Sequence, residues 1–80
     1  MYAENKIAPG REVFSFLRGY KQLPLEHATI VKNEIMKALG VKTRVSWYQR
    51  LYGNIEPKVS EAADIEMIFE KYGIKNIWGA

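Results

Sequence analysis

The segment Leu39-Gly40-Val41-Lys42-Thr43 ends one helix and begins another, which confines the chain to helices meeting at a sharp corner. Gly40 can adopt the left-handed backbone that closes a helix, and Val41 can then fold back on Met36. Thr43 is a good helix cap, because its hydroxyl can accept a hydrogen bond from an amide left unpaired in the first turn. Tyr72-Gly73-Ile74 repeats the stop near the other end of the chain, with Ile74 set to fold over Phe69.

Between and before these stops the apolar residues recur at helical spacing. Val13, Phe16, Leu17 and Tyr20 define one stripe on a first helix from Arg11 to about Gln22. Pro24 fits the first turn of a second helix, where its missing amide hydrogen costs nothing, and that helix runs to Leu39. Its inward positions are Leu25, Ala28, Val31, Ile35 and Leu39, with Lys32, Asn33 and Lys37 pointing elsewhere. A third helix runs from Thr43 to near Tyr52. On a wheel of about 100° per residue, Trp47, Tyr48, Leu51 and Tyr52 share one arc with Val45 at its edge. This arc is read as core rather than as a platform for stacking bases. Ser60 is the expected cap of a fourth helix, with Glu61 and Asp64 in its opening turn, where negative charge suits the helix dipole. Ala62, Ile65, Ile68, Phe69 and Tyr72 form its packing stripe. The fold class expected is all-α, a compact bundle of four to five short helices containing a helix-turn-helix. Residues 11–80 form the single domain, after a flexible arm over residues 1–10 that ends in Pro9 and Gly10.

Several functional classes fit the composition poorly. The 80 residues include no cysteine, one histidine and one aspartate. Neither a disulfide framework nor a thiolate metal site is available, and His27 has no second ligand at suitable spacing, so no metal and no cofactor are expected. There is no glycine-rich phosphate loop and no serine, histidine and carboxylate pattern, so the chain is not expected to be an enzyme or to take a small-molecule substrate. Glu66 and Glu70, four residues apart, read as a solvated helix face. No apolar run approaches a membrane span and the first residues lack the pattern of a secretory signal, so a cytoplasmic location is expected. The net charge is +3, and it is unevenly spread: residues 1–59 hold ten Lys or Arg against five acids, and residues 60–80 hold two against four. Such asymmetry suits one face that meets phosphate and a remote face that does not.

Opposite the aromatic arc of the third helix lie Thr43, Ser46, Gln49 and Arg50, with Arg44 flanking them from the first turn. Arginine can place two donors on the acceptors of a guanine edge, and glutamine can both accept from and donate to adenine. Arg44, Gln49 and Arg50 are therefore the candidates for base contact. Lys32, Lys42, Thr43, Ser46 and Lys58 are candidates for phosphate, where they would fix register. The acidic fourth helix should face away from DNA.

In this order the segments resemble the phage repressor and Cro-like helix-turn-helix superfamily. The likeness covers about Val31 to Ile74. It rests on Ala38-Leu39-Gly40-Val41, the helix from Thr43 to Gly53, the loop Asn54 to Pro57, and the helix ending in Tyr72-Gly73-Ile74. The resemblance implies that Lys32 stands at the start of the supporting helix, contacting phosphate or base, and that Thr43, Arg44 and Ser46 lie early in the recognition helix. Gly53 and Pro57 each fall one residue later than the usual spacing, the segment Leu23 to Ile30 is longer than usual, and Trp47 and Tyr48 are bulkier. The function expected is sequence-specific binding of double-stranded DNA as a small transcriptional regulator. The tail, Ile74 to Ala80, holds Ile77 and Trp78, which could cap the domain or form a partner surface; homodimerisation through it would set two copies about one helical turn apart. The competing expectation is a helical module that binds protein through that tail or the aromatic surface.

Overall fold

The computed structural model describes residues 12–80; the arm expected over residues 1–10 lies outside the described residues, as does Arg11. A 3-10 turn over Glu12–Phe14 precedes four helices: α1 (Leu17–Lys21), α2 (Leu25–Leu39), α3 (Arg44–Leu51) and α4 (Val59–Glu70). The described residues contain no strand, so the fold is a small all-α bundle.

The first expected helix is broken at Ser15 and Phe16. Ser15 is fully buried; its Oγ donates to the Leu51 carbonyl at 2.8 Å and accepts from the Leu17 amide at 3.1 Å. The Phe16 amide also donates to the Leu51 carbonyl, at 3.2 Å. A serine that bonds nearby backbone offers an alternative to the helical ladder. Here it ties the start of α1 to the end of α3. The break takes Val13 off the expected stripe and leaves it 64% exposed, while Phe16 is buried and Leu17 and Tyr20 are half-buried.

Pro24 stands just before α2 rather than inside its first turn, and its carbonyl accepts from the His27 and Ala28 amides. Val31 and Ile35 are fully buried, and Ala28 and Leu39 pack beside the core. Leu25, expected inward, is 90% exposed. It sits on the first turn of α2, where no element among the described residues covers it.

Gly40 closes α2 at φ 69°, with the Val41 amide donating to the Met36 carbonyl at 2.8 Å and the Gly40 amide to Lys37 at 3.3 Å. A residue with a Cβ is strained at that φ, so glycine is the economical choice. The same pair of bonds recurs at Gly73, as the spacing predicts. It recurs a third time at Gly53, where Asn54 donates to Gln49.

Helix α4 begins earlier than expected. Ser60 is its exposed second residue, and Lys58 is the residue before the helix. The Glu61 carboxylate reaches back to accept the Lys58 amide at 2.9 Å, half of a capping box, and thereby fixes a start at Val59. Ile65, Ile68 and Phe69 form the buried stripe of α4 and join Val31 and Ile35 of α2 in one core.

Trp47 lies at the centre of that core, edge-on to Phe16 and to Tyr20 with ring centroids 5.6 Å away in each case. The tail is part of the protomer. Ile77 is 4% exposed, and the chain there runs back along α1: Gly19 donates to the Ile77 carbonyl, Arg18 to the Gly79 carbonyl, and Gly79 to the Ser15 carbonyl. The Trp78 indole donates to Glu66 at 2.8 Å. These contacts make the tail a strap that caps the domain, one of the two roles its Ile77 and Trp78 suggest, with Ile77 buried and Trp78 half-buried.

Candidate nucleic-acid interface

Helix α3 is anchored by Trp47 and Leu51, which are 2% and 3% exposed. At about 100° per residue these two positions put Gln49 on the outermost line of the helix, with Val45 and Ser46 to either side of it. Gln49 and Val45 are exposed and Ser46 is half-buried. The buried arc is narrower than the sequence suggests. Val45 is 69% and Tyr48 40% exposed, and the Tyr48 and Tyr52 rings stack on one flank with centroids 5.8 Å apart. A helical wheel orders side chains by direction, but how wide an arc is covered depends on the neighbouring elements, and here they cover only two positions fully.

Thr43 caps α3 as expected, accepting the Ser46 amide at 3.1 Å; its hydroxyl also donates to the Ser46 Oγ at 2.9 Å. Lys42 and Arg44 are exposed beside this cap. Lys32 does not begin the supporting helix. It lies in the middle of α2, half-buried, with its Nζ 5.8 Å from the centroid of the Trp47 ring. That contact sets a cation against the inner side of α3. Tyr20, also against Trp47, donates to the Ala28 carbonyl at 3.3 Å; burial raises its pKa, and the nearby Tyr48 phenol raises it further.

Arg50, expected on the outward face, is half-buried and paired with an acid of α4. Its guanidinium lies 3.0 Å from the Glu61 carboxylate, and the two side chains are 18% and 17% exposed. Arg50 thus joins the last turn of α3 to the first turn of α4. Glu61 accepts from both Arg50 and the Lys58 amide. The Lys58 amide holds its carboxyl below the ordinary value of 4.5; partial burial opposes this, and Arg50 reinforces it. A carboxylate with a lowered folded pKa adds stability above its unfolded value, and that stability is lost as pH falls through the folded value. The thermal midpoint should therefore fall below pH 4.5. Glu61→Gln should cost about 1 kcal/mol of stability at neutral pH, through the lost pairing with Arg50, and flatten the acid dependence of the midpoint. Calorimetry from pH 3 upward measures both; parallel pH profiles for the two proteins would remove Glu61 as the source.

The electrostatic setting of α3 is one-sided. Residues 35–55 contain Lys37, Lys42, Arg44 and Arg50 and no carboxylate. Glu61, the acid that meets Arg50 from α4, is paired with it at 3.0 Å. Glu66 and Glu70 are exposed on α4. Lys58 is exposed at the start of α4, where its amide bonds Glu61 and the charge of its ammonium also helps to hold that carboxyl down. His27 is half-buried with its ring 5.2 Å from Tyr72, and the described residues hold no group of three side chains able to bind a metal. No helix among the described residues is long and apolar enough to cross a membrane. No protein-family model, curated protein or solved structure matches the chain.

Proposed function

We propose that α2 and α3 act as a helix-turn-helix and that the domain binds double-stranded DNA as a small transcriptional regulator. One observation carries this reading. Among the described residues the outward side of α3, opposite Trp47 and Leu51, is uncovered, and Lys42 and Arg44 stand exposed beside it in a stretch of chain without an acid. A helix braced on one side and bare on the other has the form that enters a major groove. Gln49 is the candidate for adenine, and Arg44, at the first turn, is the candidate for guanine. Lys42 and Lys58 are assigned to phosphate, with the linked Thr43 and Ser46 hydroxyls at the groove edge, and Lys32 to bracing Trp47 from within. Arg50 is assigned to holding α3 against α4.

Fluorescence anisotropy against a pool of random duplexes at two salt concentrations tests this function. Two lysine contacts give a slope of log K against log salt of about −1.8, which is about a 12-fold loss of affinity for a fourfold rise in salt. Arg44→Ala should weaken the preferred sequence more than the random pool. Absence of salt-sensitive binding would refute the assignment.

A further inference from the structure

Val45 is the one large apolar side chain on the outward ridge of α3. It is 69% exposed, one helical turn before Gln49, between Arg44 and Ser46. The fold gains little from it. At that exposure it adds almost nothing to the core, and a β-branched residue is a poorer helix former than alanine in a helix of eight residues. Its chemistry matches one feature of the major groove. Thymine alone presents a methyl group there, and small apolar side chains contact it.

We infer that Val45 reads the 5-methyl group of a thymine next to an adenine held by Gln49, so that the preferred site contains neighbouring A·T pairs. This rests on the DNA-binding reading above. The spacing fits the assignment: side chains four apart on a helix stand about 6 Å from one another. Successive bases on a strand are about 3.4 Å apart, so the two side chains reach bases one or two steps apart. Arg44 and Lys42 supply the charge that brings this ridge to DNA, and Val45 supplies no charge or hydrogen bond. Its contribution is therefore selective for the methyl group and should be nearly independent of salt.

The test begins with duplexes enriched from a random pool by the wild-type protein, resynthesised with each thymine replaced in turn by deoxyuridine. Removing the methyl group at the one contacted position should weaken binding about fourfold, the value of one buried carbon. Val45→Ala should bind the thymine duplex about fourfold less tightly and lose its sensitivity to deoxyuridine. Gln49→Ala should keep that sensitivity. Val45 is exposed, so its replacement should leave the thermal midpoint unchanged or slightly higher. Enriched duplexes whose affinity ignores deoxyuridine everywhere would overturn the thymine assignment and leave DNA binding standing. Continued sensitivity in Val45→Ala would overturn it too, since another residue would then be the reader. No enrichment of any duplex would overturn both the assignment and the function on which it rests.

Discussion

Trp47→Ala should lower the thermal midpoint by roughly 20 °C, the largest effect expected of any single side chain in α3. The indole is 2% exposed and meets the Phe16 and Tyr20 rings edge-on, and the Lys32 ammonium lies over it. Truncating a buried aromatic residue costs about 3 to 5 kcal/mol through lost transfer energy and the cavity left behind. A domain of this size has only about 4 to 12 kcal/mol in total, so this one truncation removes about a quarter of it or more. Tyr48→Ala, one residue along but 40% exposed, should move the midpoint by only a few degrees. Circular dichroism melts of the two variants separate these expectations. A Trp47→Ala protein that melts with the Tyr48→Ala protein would show that α3 is anchored by something other than the indole. The comparison also bears on function. The Trp47 variant should lose DNA binding by losing α3 altogether, whereas the Gln49 and Val45 variants should change affinity without changing the melt.

The features legible in the sequence are those decided within a few residues of chain. The Gly40 stop needs two backbone bonds reaching back no further than Met36, and the Thr43 cap needs one bond to Ser46. The stripes Val31–Ile35 and Ile65–Ile68–Phe69 follow from helical spacing alone. The features not legible depend on residues far away in the chain. Nothing near Ser15 announces a break in the first helix, because its partner is the Leu51 carbonyl, 36 residues on. Arg50 has the same chemistry as a base-reading arginine until the loop after α3 brings Glu61 to it. The start of α4 stands between these cases. Lysine has no side-chain acceptor, so Ser60 is the more obvious cap, yet Glu61 three residues after Lys58 is a local signal for the start actually found. In α3 the direction of each side chain could be read from spacing, but the exposure of Val45 and Tyr48 could not, since it depends on what α1, α2 and the tail leave uncovered.

Ile77→Ala should destabilise the domain by about 3 kcal/mol, and Gly19→Val should cost a similar amount through the same contact. Ile77 is 4% exposed, and a Cβ on Gly19 would stand 3.1 Å from the Ile77 Cα and 3.2 Å from its Cγ2. Glycine within a helix is normally a cost relative to a residue with a side chain, so relief of that cost would by itself favour the substitution. The added valine methyls must instead push the tail away from α1, which breaks the bonds from Gly19 to Ile77 and from Arg18 to Gly79. Since both substitutions undo one interface, the double variant should lose about 4 kcal/mol rather than the sum of the two. Denaturant unfolding of the four proteins completes the cycle. Simple additivity would mean that α1 and the tail are stabilised separately. An Ile77→Ala protein with unchanged stability but altered self-association would return the tail to the role of an interface, because the isoleucine would then be contributing its apolar surface to a second chain and not to the core of its own.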